Sequence, residues 1–105
     1  RDAPSLNIIH QLNHLGAKVK AYDPIVSQSG LSHGLSGVQI ESTPEMLADH
    51  CDALILVTEW QEFRKLDFAG LGNRMNQAVI IDGRNFLDKR QLQTAGFRYL
   101  GIGQS

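Results

Sequence analysis

Cysteine, proline and long apolar runs are all scarce in this 105-residue chain, and each scarcity excludes a class of protein. The single cysteine, Cys51, cannot form an internal disulfide, so a reducing compartment such as the cytoplasm is expected. Three prolines and ten glycines are too few for a collagen-like or low-complexity chain. The longest apolar run, at 53–57, is far shorter than the roughly 20 residues that a membrane helix needs. We therefore expect no membrane partner.

Charge of one sign is also lacking. Ten Lys and Arg against eleven Asp and Glu give a formal net charge of −1, which provides no global field to hold phosphate backbones. Nucleic acid is therefore not an expected partner. The apolar content of 42% and the charged content of 20% are ordinary for a globular protein. With this length they predict a single domain over 1–105.

Helical and strand patterns alternate along the chain. Apolar residues recur at helical spacing from Leu6 to Leu15, and the continuous run at 53–57 is typical of a parallel strand covered on both faces. Further patterns predict strands at 17–22, 38–40, 78–81 and 97–102 and helices after Thr43, within 59–75 and at 88–95. The order α-β-β-α-β-α-β-α-β predicts an α/β fold with one doubly wound parallel sheet.

Polar residues follow three of the predicted strands, where an open α/β sheet binds its ligands. These strand ends are Tyr22-Asp23-Pro24, Thr58-Glu59-Trp60 and Asp82-Gly83-Arg84-Asn85. The glycine of the last permits a close backbone approach, and Arg84 offers a planar fork to a phosphate or carboxylate. The alternative is a surface pair between Asp82 and Arg84 that stabilises a turn. Trp60 could stack on a ligand, but a core position is favoured.

Other candidate sites are incomplete. His10 and His14 have the spacing of a metal pair, but no third ligand accompanies them, so no metal site is predicted. Cys51 precedes an apolar strand and is expected to pack as a small hydrophobe. Gly70 and Gly72 begin a dinucleotide fingerprint whose third glycine is replaced by Met75. No catalytic residue is therefore assigned.

Several motifs occur together in the order found in one family. They are Arg1-Asp2-Ala3-Pro4-Ser5, Val19 to Pro24, Asp52 to Trp60 with Phe63, Asp82 to Asn85 and Gly96 to Gly103. The chain resembles the C-terminal, nucleotide-sugar-binding domain of the UDP-glucose/GDP-mannose dehydrogenases. Tyr-Asp-Pro, Thr-Glu-Trp and Asp-Gly-Arg-Asn together most resemble the members that oxidise UDP-glucose. The resemblance covers essentially the whole chain and implies a Rossmann-like three-layer sandwich with a mostly parallel sheet.

The resemblance also implies a function. These enzymes oxidise the sugar C6 alcohol to a carboxylate with two NAD+, through a thiohemiacetal on a cysteine of the preceding domains, to which Cys51 does not correspond. Arg84 would contact the nucleotide sugar and Arg1 would lie near NAD, which the N-terminal domain mainly binds. The implied partners are UDP-glucose, the N-terminal and central domains of the parent enzyme, and further copies in a homo-oligomer. This chain alone is expected to be inactive.

Two other functions stay open on the sequence. Within the family, the substrate could be GDP-mannose or a UDP-N-acetyl sugar. From another class, the chain could be a non-catalytic α/β interaction module whose polar strand ends only cap the sheet.

The resemblance further implies that a first strand of the family precedes Arg1 and lies between the strands around Val19 and Ile55. Without that strand, these two would face a gap of about 10 Å, two strand spacings. Either the strand exists outside this sequence, or the chain compensates by pairing the two strands directly or by borrowing an edge from a second copy, and we expect such compensation. Sedimentation at several concentrations tests the association.

Overall fold

A computed structural model describes residues 3–23 and 38–102 of the chain. It divides the chain into two compact units, Arg1–Leu47 and Ala48–Ser105, which are described separately below. The helices are α1 (Ala3–His14), α2 (Pro44–Ala48), α3 (Phe68–Arg74) and α4 (Lys89–Thr94), with a 3₁₀ helix at Gln61–Lys65. The strands are β1 (Val19–Ala21), β2 (Val38–Ile40), β3 (Leu54–Leu56), β4 (Val79–Asp82) and β5 (Arg98–Gly101).

In the first unit, α1 leads through a tight turn into β1. Gly16 ends the helix with a φ of 93°, a left-handed conformation that glycine adopts without steric cost. β1 then pairs in parallel with β2, with Val19 opposite Val38 and Ala21 opposite Ile40. The strand predicted at 17–22 is therefore present over the shorter range Val19–Ala21.

The second unit is built on a three-stranded parallel sheet in the order β3-β4-β5. α3 lies between β3 and β4 in the sequence, and α4 lies between β4 and β5, as parallel pairing requires. Both helices begin with an aspartate cap: Asp67 accepts a hydrogen bond from the Gly70 N–H, and Asp88 accepts from Arg90 and Gln91. The parallel α/β arrangement predicted from the sequence is thus confirmed.

The core of the second unit lies on one face of this sheet. Ile80 and Tyr99 stand opposite each other in the register of β4 and β5, and both are buried. The rings of Phe68 and Phe97 meet edge to face with their centroids 6.1 Å apart. The buried core cluster consists of Ala48, Phe68, Leu71, Met75, Ile80, Leu87, Leu92, Phe97 and Tyr99.

The opposite face of the sheet is less covered than the sequence predicts. Ile55, Ile81 and Leu100 form one row across the three strands, and Ile55 and Leu100 remain 40% and 44% exposed. The continuous apolar run at 53–57 predicted cover on both faces. Among the residues that the structure describes, only one face is well buried.

The single sheet expected from the sequence is also not formed. The described strands divide into two sheets, β1-β2 and β3-β4-β5, so the direct pairing of β1 with β3 was a wrong expectation. Association of two copies remains a prediction.

Candidate functional site

The carboxyl ends of β3, β4 and β5 meet at one edge of the second unit's sheet. The register places Leu56, Asp82 and Gly101 side by side. Thr58 and Glu59 follow the first of these strands and Arg84 follows the second, so the polar loops leave the sheet together. The strand-end position predicted for Arg84 is therefore the one observed.

Asp82 is the fully buried anchor of the loop that follows β4. Its Oδ1 accepts a hydrogen bond from the Arg84 N–H at 3.0 Å. Its Oδ2 accepts three more, from the N–H groups of Phe86 and Leu87 at 2.7 Å each and from the Tyr99 hydroxyl at 2.8 Å. One carboxylate thus fixes the backbone at Arg84 and at the two residues Phe86 and Leu87 that follow it.

These contacts shift the acidity of both side chains. Burial alone raises the pKa of Asp82, but the hydrogen bonds from Leu87, Tyr99, Arg84 and Phe86 together outweigh it and hold the pKa below its ordinary value. Burial, followed by the hydrogen bond to Asp82 and the charge of that carboxylate, raises the pKa of Tyr99 to about 12. The pair is therefore a carboxylate and a neutral phenol at neutral pH.

Gly83 and Asn85 connect the same loop by hydrogen bonds to the ends of the two adjacent strands. The Gly83 N–H donates to the Leu56 carbonyl at 2.9 Å, and a Cβ on Gly83 would lie 2.9 Å from that oxygen, closer than side chains tolerate. Asn85 has a left-handed φ of 52°. Its side-chain amide donates to the Ile102 carbonyl and accepts from the Ile102 N–H, both at 2.9 Å. The loop is therefore attached to both adjacent strand ends.

The Arg84 side chain extends from this fixed backbone toward solvent. Its Nε lies 3.3 Å from Oε2 of Glu59, and both side chains are 51% exposed. The terminal nitrogens of the guanidinium make no hydrogen bond within the described ranges 3–23 and 38–102. The proposed alternative, a surface pair between Asp82 and Arg84, is wrong: Asp82 is buried and bonds the Arg84 backbone, while the side chain faces Glu59.

A second arginine lies beside the loop but is already engaged. The Arg64 guanidinium stacks 4.0 Å from the Phe86 ring centroid, and its Nε donates to the Phe86 carbonyl at 3.1 Å. Sequence reasoning did not single out Arg64, because its partner lies 22 residues away and no motif links the two. Arg64 supports the loop and adds positive charge at this edge.

The remaining predicted residues do not join this site. Trp60 is half-buried and is not part of the core cluster, which differs from the favoured core position. His10 and His14 are exposed, and the described residues contain no cluster of ligands suited to a metal ion. Cys51 is half-buried against the core, as expected. Asp23 belongs to the first unit, and Arg1 and Pro24 lie outside the described residues.

The structure also tests whether the glycine pair can hold the pyrophosphate of NAD. A Cβ on Gly70 would lie 2.5 Å from Oδ2 of Asp67, because that carboxylate already caps the helix and accepts from the Gly70 N–H. The N–H group that a pyrophosphate would use is thus taken by an anion. This helix start therefore does not fit NAD.

No helix in the described part of the chain combines the length and the apolar character that crossing a membrane requires.

Comparison with known proteins identifies a family. Residues 1–89 match the model of the UDP-glucose/GDP-mannose dehydrogenase family, UDP binding domain. The chain is 38% identical to the UDP-glucose 6-dehydrogenase TuaD of Bacillus subtilis over 99% of its length, and 36% identical to the UDP-glucose 6-dehydrogenase of Rhizobium meliloti over 99%. It is 34% identical to the Caenorhabditis elegans enzyme of that name over 100% of its length.

The chain spans only about a quarter of the length of these relatives, 23% of the first and 24% of the other two. The resemblance carried by Tyr-Asp-Pro, Thr-Glu-Trp and Asp-Gly-Arg-Asn is nevertheless confirmed, because the family model covers all three motifs. On this agreement of motifs, fold and homology, the chain belongs to the UDP-glucose/GDP-mannose dehydrogenase family and matches its UDP binding domain.

Proposed function

We propose that this chain is the nucleotide-sugar-binding domain of a cytoplasmic, NAD-dependent UDP-glucose 6-dehydrogenase, and that Arg84 binds the diphosphate of UDP-glucose. In this proposal the parent enzyme forms a homo-oligomer and converts UDP-glucose to UDP-glucuronate while it reduces two NAD+. The names of the relatives and the family model support this proposal.

One observation carries the role of Arg84. Its backbone is fixed by a fully buried carboxylate, while its side chain is half-exposed at the carboxyl edge of a parallel sheet. Parallel α/β sheets bind ligands at this edge. A planar guanidinium recognises phosphate oxygens through parallel hydrogen bonds. An arginine with a fixed backbone and an accessible guanidinium therefore suits a diphosphate. The balanced charge of the chain leaves this attraction local rather than spread over the surface.

The chain would supply binding and orientation rather than the redox chemistry. Hydride transfer requires the cofactor and a nucleophile close to the sugar C6; the described residues contain no complete dinucleotide fingerprint, and Cys51 packs half-buried against the core. In the proposal, the N-terminal and central domains bring both. Arg1 is proposed to lie near NAD at the domain junction.

The test is calorimetry of UDP, GDP and UDP-glucose with the full-length enzyme and its Arg84→Ala variant. Losing a charge-assisted contact of about 1.5–3 kcal/mol should weaken UDP binding about 10- to 150-fold and leave NAD binding nearly unchanged. The matched control is Arg74→Ala, since Arg74 also forms an exposed ion pair, 2.7 Å from Asp49. Unchanged UDP affinity in Arg84→Ala would refute the proposed role.

The same titration separates the substrate alternatives. Binding of UDP but not GDP is expected for an enzyme of UDP sugars, and the reverse would favour GDP-mannose. Absence of binding by all three ligands to the full-length protein would instead favour a non-catalytic interaction module. The isolated chain should show no NAD+ reduction with UDP-glucose at any concentration.

A further inference from the structure

We propose that Glu59 is a positioning residue for Arg84, an inference that rests on the function proposed above. Glu59 would hold the Nε edge of the guanidinium and so turn the two terminal nitrogens toward a diphosphate. It would thereby act on ligand binding through the arginine rather than by touching the phosphates.

The ion pair between Glu59 and Arg84 engages one edge of the guanidinium and leaves the other edge accessible to a ligand. Among the described residues, Nε is the guanidinium nitrogen of Arg84 that is engaged, at 3.3 Å from Oε2 of Glu59. The terminal nitrogens form the opposite edge of the planar group and have no hydrogen-bond partner among the described residues. That edge presents two parallel N–H groups, the pattern that binds phosphate oxygens in pairs.

The ion pair is also loose enough to leave Arg84 available. A tight charge-assisted hydrogen bond measures about 2.7–2.9 Å, and the Arg74–Asp49 pair of the same unit reaches 2.7 Å. The Glu59 contact is longer, and both of its side chains are half-exposed to solvent. Exposed pairs of this kind contribute little to folding, so the pair is not explained by stability.

The backbone of the loop that carries Arg84 is held by hydrogen bonds on the side that faces the strand before Glu59. The hydrogen bond from Gly83 to Leu56 joins the loop that carries Arg84 to the end of the strand that precedes Glu59. Oδ1 of Asp82 accepts a hydrogen bond from the Arg84 N–H and so fixes the backbone of the arginine. The only freedom left to Arg84 is therefore its own long side chain, which Glu59 restrains.

Positioning and charge can be separated by substitution. Glu59→Gln keeps an oxygen that accepts from Nε but removes a negative charge near the phosphate site, whereas Glu59→Ala removes both. If Glu59 positions Arg84, the alanine variant should bind less tightly than the glutamine variant. If Glu59 merely competes with the ligand for Arg84, both variants should bind more tightly than the wild type.

The experiment is calorimetric titration of the full-length enzyme with UDP, supported by steady-state kinetics with UDP-glucose. Freeing one ordered side chain predicts a loss of about three- to tenfold in UDP affinity for Glu59→Ala. Glu59→Gln should match or exceed the wild type. The KM of Glu59→Ala should rise with kcat unchanged, since the contact serves bound substrate and transition state alike. The control Asp49→Asn, which disrupts the ion pair with Arg74, should change neither constant.

A double-mutant cycle decides whether the effect passes through Arg84. In the Arg84→Ala background, alanine and glutamine at position 59 should give the same UDP affinity. A persisting difference there, or a wild-type or higher affinity in Glu59→Ala alone, would overturn the positioning role. If Arg84→Ala weakens UDP binding while Glu59→Ala does not, only this inference fails. If Arg84→Ala has no effect, the proposed role of Arg84 in UDP binding fails as well.

Discussion

Replacing Asp82 by asparagine should destabilise the second unit, because the amide cannot satisfy the same four donors. Oδ2 accepts from Phe86, Leu87 and Tyr99, so the amide oxygen must occupy that position. The NH₂ group then faces the N–H of Arg84, where two donors meet. The variant keeps the shape of the side chain and loses one hydrogen bond and the negative charge.

The magnitude follows from the number and type of these bonds. Hydrogen bonds to a charged group contribute about 1.5–3 kcal/mol and neutral ones about 0.5–1.5 kcal/mol, so three bonds each lose about 1 kcal/mol. The loss of the fourth bond, from the Arg84 N–H, adds about 1 kcal/mol more. The amide escapes part of the cost of burying a charge, which offsets some of the loss. We expect Asp82→Asn to lower the free energy of unfolding by about 2–4 kcal/mol at pH 7.

The assay is urea unfolding of the chain, followed by the fluorescence of Trp60, its single tryptophan. Because the pKa of Asp82 is lower in the folded state, its contribution is complete above the ordinary value near 4 and is lost as pH falls through the folded-state pKa. The stability difference between the wild type and Asp82→Asn should therefore shrink at acidic pH.

The control is Asp52→Asn, which changes an exposed carboxylate of the same unit. Surface substitutions of this kind usually stay within about 0.5 kcal/mol. If Asp82→Asn costs no more than this control at pH 7, or if its cost is the same from pH 7 to pH 3, the anchoring role of the carboxylate is refuted.

Three further predictions concern the same unit. Gly83→Ala should destabilise it by about 1–3 kcal/mol in urea unfolding, since the new Cβ would press on the Leu56 carbonyl at 2.9 Å; an unchanged midpoint would contradict this. Asp88→Ala should cost about 0.5–2 kcal/mol through loss of the α4 cap, measured in the same way. In a Tyr22→Phe background, absorbance titration should find that the Tyr99 phenol ionises near pH 12. Its contribution to the stability of the fold should be complete below pH 10 and lost as the pH rises toward 12. Ionisation of Tyr99 near pH 10 in the folded state would refute this prediction.

The sequence predicted the strand ends well because they depend on local patterns. The apolar stretch at 78–81 and the turn residues Asp82-Gly83 place Arg84 just after a strand, whatever the rest of the chain does. Parallel pairing then brings Arg84 beside Glu59, and the structure shows this. That part of the candidate site follows from periodicity and the ligand-binding rule of α/β sheets.

The partners of Asp82 could not be predicted in the same way. An aspartate beside an arginine suggests a surface pair, whereas its buried state depends on register: alternation along β4 puts it on the same face as Ile80, toward the core. Its partner Tyr99 lies 17 residues away on another strand, and no motif connects the two. The division into two sheets likewise depends on pairing between distant strands, which the pattern of a single strand does not specify.

The contact between Asn85 and Ile102 leaves almost no freedom in the choice of residue at position 85. Its side chain donates and accepts at 2.9 Å through two different atoms, which a primary amide provides and a single hydroxyl does not, and glutamine is one methylene longer. The left-handed φ of 52° separately favours asparagine, aspartate and glycine over other residues. Aspartate lacks the donor and glycine lacks the side chain, so only asparagine meets both requirements. In a saturation mutagenesis screen for folded protein, position 85 should therefore tolerate fewer replacements than many core positions, although its side chain is exposed.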